Sequence, residues 1–275
     1  FFEWAITRYM LRRPTTLLDG SACITGLLLG MNLPSNFPIW MIIVGALVAI
    51  GIGKMTFGGL GCNPFNPAIV GRCFLLVSFP AAMTSWPVAG QQMAYTDAVT
   101  GATPLSLMKT AIKTGDVSVL QGLPDTVDML LGNVANGYGA GTIGEVCALA
   151  LIAGLIWMLW RRVITWHIPI TILATVFVLS GALHVANPVY AHPMAVVLSG
   201  GLMLGAIFMA TDYVTSPMTH RGQVIYAVGI GVLTVVIRNW GSYPEGMSFA
   251  ILIMNAFTPL INFYVKPKRF GEVSR

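Results

Sequence analysis

Apolar residues fall in long blocks along this chain, and the charges and turn residues collect between the blocks. Reading those blocks predicts helices at about 20–33, 38–53, 67–86, 141–160, 163–184, 193–212, 224–238 and 248–265. Several approach the roughly 20 residues needed to cross a bilayer core. The first and third are short or interrupted by Gly and Pro, which predicts broken helices. One long polar stretch divides the pattern in two. The expected organisation is a first membrane half over 1–86, a polar loop over 87–140, a second membrane half over 141–265 and a tail over 266–275. The fold class is all-α, a polytopic membrane protein. The apolar opening Phe1-Phe2-Glu3-Trp4, without Met, reads as an entry near the end of an earlier helix.

Composition narrows the class. Of 275 residues 56% are hydrophobic and 9% charged, far below the ~25% charged of soluble domains. The net charge of +5 is not a nucleic-acid signal, because the basic residues lie mainly at the ends of apolar runs. Arg12, Arg13, Lys54, Arg72, Arg161, Arg162, Arg221, Lys266, Lys268 and Arg269 fit one orientation by the positive-inside rule. Arg238, Lys109 and Lys113 disagree with it. That orientation puts the 87–140 loop outside the cytoplasm and the C-terminus inside. Trp40, Trp86, Trp157, Trp160, Trp166 and Trp240 fall near span ends, the pattern of an aromatic belt. The halves also share an echo: Gly26-Leu27-Leu28-Leu29-Gly30 resembles Gly201-Leu202-Met203-Leu204-Gly205, which points to an internal repeat.

Candidate chemistry concentrates in the loop, at Asp97-Ala98-Val99-Thr100-Gly101-Ala102-Thr103-Pro104. Gly101 and Ala102 leave no bulk beside the Thr103 hydroxyl, and an open approach is expected for it. Pro104 onward reads as a short helix to about Lys113, with Thr103 at its N-cap and Pro at its first position. A phosphate on Thr103 would sit at a helix N-terminus, where free N–H groups favour an anion. An ordinary capped turn would explain Thr-Pro equally well, but not Asp97 or Gly-Ala.

Elsewhere the signals are sparser. Asn and Gly crowd residues 57–68 and force irregular backbone, either as a loop on a cofactor or ion path or as a tight re-entrant turn. Glu145 and Asp212 lie in or beside apolar runs and are candidates for ion coupling. Their plainer roles are a helix N-terminal charge and an interfacial residue. His167, His184, His192 and His220 show no ligand spacing. Cys23, Cys62, Cys73 and Cys147 form no C-x-x-C pair, and three of them read as small hydrophobes. An iron–sulfur ligand shared with a neighbouring subunit is the other reading.

The loop sequence resembles the D-x-x-[ST]-G-A-T motif at which flavinyltransferases attach FMN to threonine, with Thr103 as acceptor. Phe57-Gly58-Gly59-Leu60-Gly61-Cys62-Asn63-Pro64-Phe65-Asn66-Pro67-Ala68 is similar to a signature of the NqrB/RnfD family. That family holds the RnfD component of the Rnf complex and the NqrB component of the sodium-pumping NADH:quinone reductase. Asp19-Gly20-Ser21-Ala22 and Gly141-Thr142-Ile143-Gly144-Glu145 resemble two further blocks, and Leu60, Pro64 and Met83-Thr84-Ser85-Trp86 favour the Rnf version. The resemblance runs along nearly all of the chain. It implies about ten helices in the whole protein, a membrane fold like that of urea transporters, and a place in a six-subunit complex with Rnf subunits A, B, C, E and G. That complex passes electrons from ferredoxin to NAD in the bacterial inner membrane, coupled to sodium or proton movement. The implied cofactors are covalent FMN at Thr103, beside Asp97, Thr100, Gly101 and Ala102, and a second, non-covalent flavin. The same reading places NAD and ferredoxin on other subunits. A quinone-reducing relative and a small-solute channel are the alternatives.

Overall fold

A computed structural model of the chain describes residues 1–12, 16–87, 101–132, 141–243 and 245–266. Helix α1 (Phe2–Ala5) runs into a π turn at Ile6–Met10 and is followed by α2 (Ser21–Met31). Next come α3 (Ile39–Leu47), continued through a π turn to Ile52, then α4 (Pro67–Ser78) and α5 (Pro80–Met83). The polar segment holds α6 (Pro104–Thr114) and α7 (Thr126–Leu131). The second half holds α8 (Ala148–Trp160), α9 (His167–Ala186), α10 (Pro193–Leu198) and α11 (Leu202–Leu204), which a π turn extends to Met209. It ends with α12 (His220–Trp240) and α13 (Met247–Tyr264).

Among the described residues, Ile39–Phe57, α9, α12 and α13 are long and apolar enough to cross a bilayer. Helices α2, α4 and α8 are apolar but shorter, with 11, 12 and 13 residues. At 1.5 Å per residue α2 reaches roughly 16 Å, about half of a ~30 Å hydrocarbon core. Such helix ends lie where backbone groups have no water and need protein partners. Asn66 supplies them for α4: Oδ1 accepts from the N–H of Ala68 at 3.0 Å and Ile69 at 3.4 Å, and Nδ2 donates to the Met209 carbonyl at 3.2 Å. Asn32, at the C-terminus of α2, donates to the Leu28 carbonyl at 2.6 Å. The main core joins α2, α4, α9, α11, α12 and α13 through Leu29, Ile69, Ile172, Leu202, Ile230 and Ile251.

Several expected boundaries change. The 67–86 helix does break, at Phe79, where Pro80 opens α5; α2 is short but unbroken. The 193–212 helix breaks at residues 199–201, because Gly200 takes a left-handed φ of +67°. Residues 143–145 form a 3-10 turn, so Glu145 precedes the helix that it was expected to start. The two echo strings occupy unlike places: Gly26 is inside α2, whereas Gly201 stands just before α11. What the two regions share is a left-handed glycine shortly before a helix, Gly20 and Gly200. Trp40, Trp157, Trp160, Trp166 and Trp240 are exposed as a belt requires, but Trp86 is buried against the protein.

The largest correction concerns the cations. Lys54 and Arg72, expected at a membrane surface, are each only 2% exposed. Lys54 Nζ pairs with Glu3 at 2.8 Å and donates to Ser21 Oγ at 2.5 Å. Arg238 and Lys109, which broke the positive-inside pattern, are buried as well. All four find hydrogen-bond or ion-pair partners inside the protein, which the pattern of apolar runs did not foretell.

Candidate functional site

The polar segment packs onto the membrane helices through Leu105, Met108 and Met129, which meet Ala148, Ala191, Ala195 and Leu198. Its leading edge is the candidate modification sequence. The Gly101 N–H donates to the Trp86 carbonyl at 2.9 Å, which fixes the start of the segment against the end of the first half. Ala102 is exposed. Thr103 is the N-cap of α6, with Oγ1 accepting from the Ser106 N–H at 3.2 Å and Pro104 in the first turn. The local geometry is the one expected for Thr-Pro before a helix. The expected open approach is not: Thr103 is 8% exposed. Leu105 and Met108, on the turn that follows, pull the cap down with them. Asp97 and Thr100 lie outside the described residues.

Thr103 stands on the wall of a cleft with an empty volume of about 530 Å³. Leu105, Met129, Val146 and Leu198 give it an apolar side, and Glu145, Ser199 and Glu245 a polar one. Behind the polar side lies a cluster of buried charge gathered around the break between α10 and α11. Arg72, from the middle of α4, donates through Nη1 to Asn32 Oδ1 at 2.9 Å and Ser248 Oγ at 2.8 Å, and pairs through Nη2 with Glu245. Arg238, from α12, donates to the carbonyls of Val196 at 2.8 Å and Ser199 at 2.9 Å, the last acceptors of the interrupted α10. Glu145 Oε2 accepts from the Thr142 N–H at 3.4 Å, while Oε1 is buried with no hydrogen-bond partner. Arg72 Nη1 and Glu145 Oε1 both lie 3.2 Å from where a side chain on Gly201 would begin. The break thus stays open because glycine leaves room for two charged groups.

Gly200 is the most sensitive point of the break. A Cβ there would lie 2.8 Å from Arg238 Nη2, on backbone at φ +67°. Gly20 has a similar φ of +73° but open space around it. Left-handed backbone on a non-glycine residue costs on the order of 1–3 kcal/mol. Gly20→Ala should lose only that amount, and Gly200→Ala measurably more, because Arg238 must also move. Denaturant titration of the purified chain in detergent checks this, and equal losses would show that the Arg238 contact is soft.

A second cleft, of about 630 Å³, opens at the other end of α2. Ser21, Thr25, Lys54, Asn63, Asn66 and Asp212 line it. The irregular 57–68 loop forms one of its sides, with Gly58, Gly59 and Gly61 all at positive φ. Asp212 accepts from Thr215 Oγ1 at 3.2 Å. The two acids singled out from sequence therefore belong to different clefts. The four thiols are free: Cys73 is buried, Cys147 half-buried, and Cys23 and Cys62 exposed. The histidines meet in pairs that their spacing did not foretell, with His167 stacked on His220 at 4.4 Å and His184 edge-on to His192 at 5.7 Å.

Sequence reasoning missed Arg72, Arg238 and Glu245 as members of one site. Arg238 carried a usable signal, since it violated the orientation that the other arginines obeyed. Arg72 sits within the apolar run from Pro67 to Ser78, the usual mark of an expensive intramembrane charge.

Comparison with known proteins places this architecture. The family model described as "NQR2, RnfD, RnfE family" matches residues 1–271. The D subunit of the Na+-translocating ferredoxin:NAD+ oxidoreductase complex of Acetobacterium woodii is 45% identical, covering 97% of this chain and 78% of the relative. The D subunit of the proton-translocating ferredoxin:NAD+ oxidoreductase complex of Clostridium ljungdahlii is 41% identical over 97% of this chain and 80% of its own length. The D subunit of the ion-translocating oxidoreductase complex of Stutzerimonas stutzeri is 39% identical, with the same two coverages of 97% and 80%. A match from the first described helix to beyond the last, with identities near two in five throughout, makes this chain a member of the NQR2, RnfD, RnfE family.

Proposed function

We propose that this chain is the RnfD-type membrane subunit of an ion-translocating ferredoxin:NAD+ oxidoreductase complex, and that it relays electrons through FMN held covalently at Thr103. The observation that carries the reading is Thr103 itself: the last residue of a flavinylation motif, placed as the N-cap of α6 on the wall of a cleft. Its surroundings fit the group. The α6 N-terminus favours a phosphate, and an ester oxygen at Oγ1 still accepts from Ser106. The apolar wall of Leu105, Met129, Val146 and Leu198 suits a flat ring. Arg72 and Arg238 stand behind the carboxylates and offset their charge. When bound, the flavin supplies the capacity to take up and release electrons singly or in pairs.

The chain's own part is to hold, orient and shield. Pro104 and the Ser106 N–H fix the attachment point, and the hydrophobic seat of α6 keeps water from one side of the cleft. The burial of Thr103 adds a condition: a flavinyltransferase reaches the hydroxyl only while α6 is lifted from Leu198 and Ala195. In this reading the loop face lies outside the cytoplasm of the bacterial cell membrane, Rnf subunits A, B, C, E and G are the neighbours, and a second, non-covalent flavin lies among the helices. An intact-mass measurement of the chain from a host with an active flavinyltransferase should show one added FMN. An unmodified mass from such a host ends the relay reading.

The same burial favours a second reading, in which Thr103 only caps a helix and the chain forms a small-solute channel of the urea-transporter type. Solute flux in liposomes holding this chain alone supports that reading; loss of ferredoxin:NAD+ activity on deleting the subunit supports the first. Quinone reduction, the activity of the other branch, is separated by the acceptor on which the complex turns over.

A further inference from the structure

At the end of the molecule that bears the α8–α9 turn, three arginines gather without an ion-pair partner among the described residues. Arg161 and Arg162 close α8, and Arg221 lies in the first turn of α12. All three are exposed, and none forms an ion pair among the described residues. Between Glu145 and Glu245 the sequence holds a single acidic residue, Asp212, and it is tied to Thr215 in the neighbouring cleft.

Three features make this more than a solvated basic face. First, Arg221 occupies the first turn of α12, where the helix dipole opposes a cation. His220 and His167, in the first turns of α12 and α9, stack at 4.4 Å, so the two helix N-termini are pressed together. Second, Arg162 is held at φ +54°, a left-handed conformation that a non-glycine residue adopts at a cost. Third, Arg162 rims a cleft of about 460 Å³ between the 161–166 turn and α12, whose first turn carries Arg221. Arg162, Thr165, Thr211, Ser216 and Gln223 line it, and the Thr165–Gln223 hydrogen bond of 3.0 Å ties its two sides.

The surroundings identify the anion. Trp157, Trp160 and Trp166 are more than half exposed beside the cleft, and Arg161 lies over the Trp157 ring at 6.0 Å. Exposed indoles mark the headgroup level of a bilayer, and basic pockets between membrane helices take acidic headgroups there. We propose that the cleft bounded by Arg162, Thr165, Ser216, Gln223 and the first turn of α12 binds the phosphate of an acidic phospholipid. The arginines neutralise the phosphate, the polar side chains take its remaining oxygens, and the tryptophans flank the acyl chains. The site stands apart from Thr103 and its cleft, and adjoins the Asp212 cleft through the 211–214 segment.

The test is lipid retention by the full chain, purified in detergent and delipidated, then offered vesicles of phosphatidylglycerol or cardiolipin against phosphatidylcholine. Wild type should retain the acidic lipids selectively. Each arginine near an anionic surface contributes about 1 kcal/mol, or roughly fivefold, so Arg162→Gln with Arg221→Gln should lower that selectivity by about 30-fold. Arg162→Lys with Arg221→Lys keeps the charge and should keep most of it, which separates a charge effect from misfolding. Arg12→Gln removes an exposed cation elsewhere and should change nothing. Equal retention of zwitterionic and acidic lipid, or unchanged selectivity in the double Gln variant, overturns the proposal. So does displacement of the lipid by inorganic phosphate alone at millimolar concentration, because the site would then be one for the free anion.

Discussion

Replacing Thr103 by Asn should leave a folded, membrane-inserted protein that carries no covalent flavin. Asn caps helices at least as well as Thr, so the N–H of Ser106 keeps an acceptor and α6 keeps its seat. The amide offers no hydroxyl for a phosphoester. In-gel fluorescence of the denatured chain should fall to background while the unfolding midpoint stays near wild type. Thr103→Val loses both functions: about 1 kcal/mol of capping together with the flavin. The Asn variant therefore separates the capping role that the structure shows from the attachment role proposed for this residue. Fluorescence retained in the Asn variant would place the flavin on another side chain.

Arg72→Leu should be the most damaging single change outside the modification site. Arg72 serves Asn32, Ser248 and Glu245 at once from the middle of α4. Removing one partner of a buried pair costs on the order of 3–5 kcal/mol, because the other charge remains buried. Most of a domain's stability is of that size, so little protein should accumulate in the membrane. Arg72→Lys keeps a charge but not a planar fork with several donors, and should be intermediate. Arg72→Leu combined with Glu245→Gln removes both charges and should recover a large part of the loss. If the single variant accumulates like wild type, Glu245 draws its compensation from elsewhere.

What could be read in the sequence was what depends on near neighbours along the chain. The membrane helices follow from the length of their apolar runs, and the cap at Thr103 from a contact three residues away. The break at Phe79 was legible because Pro80 cannot continue the ladder. The break at Gly200 was not, since Gly-Gly inside an apolar run fits either a helix or a kink until φ is known. Long-range pairing was hidden altogether. Arg72 meets Asn32 and Ser248 across 40 and 176 residues of chain, and Lys54 meets Glu3 across 51. A local pattern assigns such cations to the nearest membrane surface, the only sink for charge that it can see. The exposure of Thr103 is hidden for the related reason that its motif speaks of access while its burial is decided by where α6 lands.

The shortness of α2 carries an electrical consequence. The cleft at its N-terminal end reaches inward as far as Leu28, and Asn32, in the charge cluster behind the other cleft, is one turn further on. A voltage across a membrane drops where the dielectric constant is low, not evenly over the lipid thickness. Where water or mobile ions enter both clefts, most of the drop falls across the protein between them, which includes that turn and the charge cluster. Each unit charge moved past Asn32 then works against nearly the whole potential, about 2.3 kcal/mol per 100 mV, over a fraction of the distance that a full span would demand.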